Sequence, residues 1–514
     1  MSSDISQNNK RIAKNTFALY FRTFITMIVG LYTGRVMLQA LGVDNYGINA
    51  VVGGIVAMSS LITSTMSAAI SRYITYTLGQ GNKGRLKTMF STSINAQIVM
   101  AVIVALVLEI AGVWFLNHEA NIPEGRMEAA NWVLQCSIVT LMISLISSPF
   151  NALIIAYERM TIYAYMSIMD VTLKLAICFI IIVYDGDRLV LLALLQIAVT
   201  LCMNIFYGWY CSRNFEGAYY SPRLLDRGLL KELTVFSGWN LMNNGAYVFA
   251  TQGVNMLVNV FFGVVYNAPR SVAMAVNSAV QGFVGNFTMA FSPQITKSYA
   301  AGDTAYAVHL ANKGTKFTWL MMYIFIVPVC IEAETLLRLW LGEVPELAPL
   351  FLRFAMFESL AVSSGQNLFK LIQADGHIKS YTVHAALTAG LIFPLVWLFF
   401  YMGAPVWVAY LIFIIDFLFL NLVRFYDLKR LMVFSVFQFL KDCIIPCVLV
   451  SVASFIVPVI LAHYMEEGII RFFVNGAVSV FWTSLCCIVF GLTKSERVFL
   501  RDKVFFILKK SIKK

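Results

Sequence analysis

CIIPCVLVSVASFIVPVILAH, residues 443–463, holds no lysine, arginine, aspartate or glutamate. As a helix rising 1.5 Å per residue it is about 30 Å long, the thickness of bilayer hydrocarbon. The amides and carbonyls of such a helix satisfy one another internally, as lipid requires. Working outward, comparable apolar segments fall at 16–41, 47–70, 88–116, 128–156, 161–184, 189–211, 234–261, 268–292, 314–337, 348–373, 380–402, 405–424 and 470–491. Together they predict an all-α integral membrane protein with fourteen transmembrane helices.

Composition agrees. Of 514 residues 59% are hydrophobic and 13% charged, against about 25% charged in a soluble domain. A water-soluble fold of this size has too much surface to leave so nearly uncharged, so much of the exterior must face lipid. The net charge of +11 does not point to nucleic acid, because the basic residues sit in short segments between apolar runs. The nine cysteines lie in apolar stretches without histidine or acidic companions at ligand spacing, so neither a metal site nor a disulfide framework is expected. Lys10, Arg11 and Lys14 precede the run that begins at Thr16, which has no small-x-small cleavage signal. A retained first span is expected.

Charge placement sets the orientation. Counting spans from the amino terminus puts Arg72, Lys83, Arg85, Lys87, Arg159, Arg213, Arg223, Arg227 and Lys231 on one face. Lys297, Lys313, Lys316, Lys379, Lys429, Arg430 and the tail from Lys494 to Lys514 fall on the same face. The opposite face carries Asp44, Glu119, Glu124, Asp185, Asp187, Glu334, Glu346, Glu466 and Glu467. Positive residues favour the cytoplasmic side, so both termini are expected inside the cell. The segments on the acidic face are too short to hold a catalytic domain.

The chain also repeats itself. A shift of 221 residues sets Gly42-Val43 on Gly263-Val264, the stretch Ala69 to Thr75 on Ala290 to Thr296, and Gly81 on Gly302. A shift of 216 sets Ser147, Ser148 and Asn151 on Ser363, Ser364 and Asn367. Six spans separate the copies, so they share one topology, a parallel internal repeat about an axis along the membrane normal. Residues 1–232 are read as one six-helix lobe and 233–430 as the second. Residues 431–514 add two helices and a basic tail. Two such bundles can enclose a path and rock to expose it to each side in turn.

Charge inside lipid is costly and marks cavities or partners. Arg22, Arg35, Lys174 and Arg270 are the basic candidates for a substrate cavity; guanidinium forks suit phosphate. Asp170 and Asp416 are the candidates for binding a coupling proton or sodium ion. Asp170 and Lys174 are four apart on one helical face, so an internal ion pair is the bland alternative. Asn240, Asn244, Thr251 and Asn255 keep near-helical spacing in span seven. They are read as lining a hydrated path for sugar hydroxyls, with helix-to-helix hydrogen bonding as the alternative. A Gly-x-Gly-x-x-Gly at Gly79, Gly81 and Gly84 follows a membrane span instead of a strand, so it lacks the context of a dinucleotide fingerprint. No cofactor, metal or nucleic-acid partner is expected.

The basic segment before span one, the turn Leu41-Gly42-Val43-Asp44-Asn45-Tyr46-Gly47, the Ser71-Arg72-Tyr73 end of span two and the loop Gly79-Gln80-Gly81-Asn82 carry a resemblance. The chain resembles the polysaccharide flippases, of the O-antigen and capsule type, of the multidrug, oligosaccharidyl-lipid and polysaccharide exporter (MOP) superfamily. The resemblance implies a transporter, not an enzyme, that moves polyprenyl-pyrophosphate-linked oligosaccharide from the cytoplasmic to the periplasmic leaflet of a bacterial inner membrane by alternating access. It also implies a cationic central cavity, for which Arg22 and Arg35 are the candidates, and partners among membrane lipids and polysaccharide assembly proteins. A cation-coupled multidrug exporter of the same superfamily is the main alternative, and a membrane glycan polymerase or ligase a more distant one.

Overall fold

The structure, a computed structural model, describes residues 2–57, 59–118, 122, 125–263, 266–341 and 344–498. It is 88% helical, with no strand among the described residues, so backbone polar groups are paired within segments as a bilayer demands. In chain order the helices are α1 (Ser2–Ala57), α2 (Ser60–Gly79), α3 (Lys83–Val107), α4 (Val113–His118), α5 (Met127–Ala156), α6 (Met160–Val183), α7 (Arg188–Asn214), α8 (Arg227–Phe262) and α9 (Asn267–Ala300). They continue with α10 (Thr304–Ile331), α11 (Ala333–Leu341), α12 (Ala348–Asp375), α13 (Lys379–Tyr401), α14 (Val408–Leu431), α15 (Val436–Phe439), α16 (Ile445–Tyr464) and α17 (Ile469–Cys486). Among the described residues nine helical stretches are long and apolar enough to cross a membrane. Helices α2, α8, α9 and α12 fall short because serine, threonine, asparagine or charged residues interrupt their apolar runs. Large apolar side chains such as Ile110, Val183 and Ile470 lie on the outside, as on a lipid-facing surface.

One predicted boundary moves. The second span, expected at 47–70, does follow a break in α1, at Gly42 (φ 76°, ψ 170°), but its helix is interrupted by a turn at Ser59 and α2 carries on to Gly79. The Ser59 hydroxyl donates to the Val56 carbonyl at 2.6 Å and makes that turn. Beyond residue 70 the hydropathy falls, but Thr75 and Thr77 donate to the carbonyls of Ser71 and Tyr73. Their hydroxyls are thereby satisfied within the helix.

The internal repeat reappears in the backbone. Gly42 and Gly263, paired by the 221-residue shift, have φ of 76° and 91°, and Gly81 and Gly302 have 70° and 86°. These left-handed values favour glycine. The hydrogen bonds of the second turn correspond too. Gln80 N and Gly81 N donate to the carbonyls of Tyr76 and Leu78; Ala301 N and Gly302 N donate to those of Lys297 and Tyr299.

The chain divides into two compact units, Met1–Gly245 with Ser292–Asp303, and Ala246–Phe291 with Thr304–Lys514. In the first, α5 packs against α2, α3 and α7, and α1 against α6. Val52, Leu116, Ala130, Leu134 and Ile181 form part of its buried core. In the second, α12 lies against α10 and α14, and α16 and α17 pack on α10. That last docking is fastened at two places, one midway along α10 and one just beyond it. Lys316 of α10 donates to Glu496 at 2.6 Å. Glu332, just past the carboxy-terminal end of α10, accepts from Arg471 at 3.2 Å and from Asn475 at 2.8 Å. Leu320, Cys447, Val450 and Cys487 belong to an apolar cluster in the same docking.

Outside the spans, Arg126 donates to both carboxylate oxygens of Asp187, at 2.7 and 3.0 Å. Asp187 also caps α7. The Arg126 hydrogen bond holds the Asp187 carboxyl below its ordinary pKa. A depressed carboxyl contributes stability above its unfolded pKa, about 3.9, and loses it as pH falls through the lower folded value. The thermal-stability difference between wild type and Arg126→Met is therefore expected to be present at pH 7 and to vanish near pH 2. The pair is partly exposed, so less than about 1 kcal/mol is involved.

Candidate functional site

A cavity of about 460 Å³ lies within the first unit, between α1, α5, α6 and α7. Polar residues reach it at helical spacing: Ser144, Ser147 and Asn151 on α5; Tyr163, Ser167, Asp170 and Lys174 on α6; Thr200, Asn204 and Tyr207 on α7. Arg22 and Thr26 of α1 complete the wall. The hydroxyls of Ser144, Ser147, Ser167 and Thr200 donate to the carbonyl four residues back on their own helices. With the proton so used, what each hydroxyl offers the cavity is an acceptor. The buried Oδ1 of Asn151 has no hydrogen-bond partner among the described residues, as expected of a group that meets water or a ligand.

Three of the residues singled out in the sequence meet here. Lys174 donates to Asp170 at 2.8 Å along α6, which is the internal pair that their spacing allowed. The Arg22 guanidinium carbon lies 5.1 Å from the centre of the Tyr163 ring, within the range of a cation–π contact. Two basic groups and one acid leave the wall with a formal charge of +1. The side chain of Arg35 lies outside the described residues.

The others lie elsewhere. Arg270 is buried in the second unit, 5.4 Å from the Tyr410 ring centre. It faces the charge of Glu358, which hydrogen-bonds with Tyr247. Asp416 is half-buried on α14, with Thr388 as a hydrogen-bond partner. On α8, Asn240 is buried and donates to the Phe236 carbonyl, and Asn244 accepts from Asn243; both belong to the first unit. Thr251 donates to Tyr247 O and Asn255 to Gln252 Oε1; both belong to the second. On α9, Asn277 and Gln281 bond to α12, where Ser359 donates to Asn277 and also accepts from Gln281, at its carbonyl.

Sequence reasoning passed over Glu358, an acid well inside the predicted span 348–373. It also passed over Tyr163, Asn204 and Tyr207. The signal was present: Thr200, Met203, Asn204 and Tyr207 follow the i, i+3, i+4, i+7 pattern of one helical face. No group of three or more histidine, cysteine or acidic residues able to hold a metal occurs among the described residues.

No protein-family model matches the chain, and no curated protein does. Solved structures do. A MATE crystal structure in the straight conformation superposes with a TM-score of 0.71 at 12% identity, covering 82% of this chain and 95% of that one. An outward-facing multidrug resistance MATE family transporter of the MOP superfamily gives 0.70 at 11% identity, with the same coverage. A MOP superfamily transporter from Pyrococcus furiosus, described as having a binding pocket of reverse polarity that suggests a different function, gives 0.68 at 11%, covering 82% and 95%. The fold is that of MATE transporters.

Proposed function

We propose that the chain is a multi-pass membrane exporter that carries an amphipathic cargo across the bilayer by alternating access of its two repeated halves, without covalent change in the cargo. The observation that carries this is the fold, which follows solved transporters over 82% of the chain. The proposal includes fourteen spans, lobes at 1–232 and 233–430, two further helices with a basic tail at 431–514, a cytoplasmic basic face with both termini, and a bacterial inner membrane as its location.

For the cargo, the likeness in fold favours a multidrug exporter, since the similar structures include a multidrug resistance transporter. Asp170 and Asp416 are then the candidates for binding the coupling proton or sodium ion. One observation favours a second reading. The polar cavity carries Arg22 and Lys174 against a single acid, and a net cationic wall suits a phosphate-bearing head group better than a cationic drug. The fold tolerates such a change, as the Pyrococcus furiosus transporter with its reversed pocket polarity illustrates. On this reading the cargo is polyprenyl-pyrophosphate-linked oligosaccharide, moved outward with polysaccharide assembly proteins as partners.

Purified protein in sealed vesicles decides between them. Protection of a fluorescent prenyl-pyrophosphate oligosaccharide against an external enzyme is measured beside efflux of a cationic dye, with and without proton and sodium gradients. Gradient-driven dye efflux alone establishes the multidrug exporter; protein-dependent protection alone establishes the flippase. Neither, over several glycans and dyes, overturns both.

A further inference from the structure

Glu158 sits in the short turn between α5 and α6 with φ of 59°, and it is the only non-glycine residue with positive φ among the described residues. The second half of the chain uses Gly376, φ 97°, in its turn between α12 and α13. A side chain in this conformation strains the backbone, and such strain persists only where the surroundings impose it. Here they do. The preceding Tyr157 stacks on Phe215 at 4.3 Å and donates to the Glu216 carbonyl at 3.3 Å. The Glu158 carboxylate is buried and accepts from Gln294 at 2.5 Å and from Lys297 at 2.8 Å. Both partners lie in the last turns of α9, in the stretch Ser292–Asp303 that belongs to the first unit, whereas the rest of α9 belongs to the second. The same turns press on the end of α2, where a Cβ on Gly79 would lie 2.7 Å from the Lys297 carbonyl oxygen.

The geometry points to a latch: Glu158, held in a strained turn, fastens the end of α9 to the α5–α6 turn within the first unit, on the basic face, and loss of its bond with Lys297 releases that end. A static contact needs no strained anchor, since the matching turn manages with glycine. A strained anchor keeps the closed arrangement close in energy to the open one, which is what a switching element requires. The role of the latch in a transport cycle rests on the exporter reading above; its opening does not.

The first test therefore needs no cargo. With Cys202→Ser as background, spin labels are placed on the exposed positions Asn214→Cys and Ala301→Cys, and their distance distribution is measured by pulsed electron paramagnetic resonance. One short distance is expected in the otherwise unaltered protein. Glu158→Ala and Lys297→Ala are expected to raise the fraction at longer distance by about tenfold. The exchanged pair Glu158→Lys with Lys297→Glu is expected to restore the short distance, which a merely unfolded variant would not do. An unchanged distribution in both alanine variants overturns the latch. A second arm cross-links Glu158→Cys to Lys297→Cys. Transport that stops on oxidation and returns on reduction places the latch in the cycle, and transport at the unlinked rate overturns that role. Protein that opens in the first arm but moves neither cargo refutes the exporter reading and leaves the latch standing.

Discussion

Arg22→Ala is expected to slow transport of a phosphate-bearing cargo by about thirtyfold, the loss of one charge-assisted hydrogen bond of about 2 kcal/mol. The variant takes the formal charge of the cavity wall from +1 to zero, with Asp170 and Lys174 left bonded to each other at 2.8 Å. Arg22→Lys keeps the charge but gives up the planar fork and the guanidinium stacked on Tyr163, so an intermediate rate is expected. If the cargo is a cationic drug, the sign inverts and Arg22→Ala exports it faster, because a repelling charge has been removed. Initial rates in the vesicle assay, with thermal stability measured on the same preparations, distinguish these outcomes. A rate unchanged for both cargoes removes Arg22 from the cargo path.

Glu332→Ala is expected to destabilise the protein by about 3 kcal/mol, because Arg471 loses its buried carboxylate and is left with the exposed Glu467, at 3.7 Å. The side chain of Glu332 is 1% exposed and that of Arg471 10%. Asn475 would lose its acceptor as well. The double variant Glu332→Leu with Arg471→Leu is expected to recover most of the loss, since it removes the stranded charge and fills its space with apolar atoms. Unfolding in detergent followed by tryptophan fluorescence gives both differences. A double variant no more stable than the single would mean that the pair contributes by attraction and not by mutual neutralisation.

Nine helices among the described residues carry a one-dimensional signature, length with apolarity, and the repeat carries another, glycine at fixed offset. The shift that paired Gly42 with Gly263 and Gly81 with Gly302 paired residues that share a left-handed backbone, a conformation the sequence encodes in the residue itself. The Gly-x-Gly-x-x-Gly resolves into separate causes. Gly79 makes room for α9 and Gly81 turns the chain, whereas a Cβ on Gly84 would meet only the Asn82 side chain, at 3.8 Å. The cavity was only partly legible. Arg22, Asp170 and Lys174 stand out as charges in lipid, whereas Asn204 and Tyr207 are uncharged: their spacing marks one face of α7, and only tertiary packing sets that face beside α5 and α6. The Glu158 latch was illegible for the same reason: its partners lie 136 and 139 residues away, and nothing local to Tyr157-Glu158-Arg159 announces a left-handed glutamate.

The two ion pairs that fasten the last helices to α10 have a consequence for biosynthesis. The Lys316 and Glu332 side chains find their partners 180 and 139 residues later in the chain. At roughly 5–20 residues per second, ribosomes take about ten to forty seconds to deliver Glu496 and Arg471 after α10 has been made. Throughout that interval the cation Lys316, midway along α10, and the anion Glu332, just past its end, have their native partners still unsynthesised, and charges are poorly tolerated in hydrocarbon. The insertion machinery must shelter these two side chains until the carboxy-terminal hairpin arrives to neutralise them.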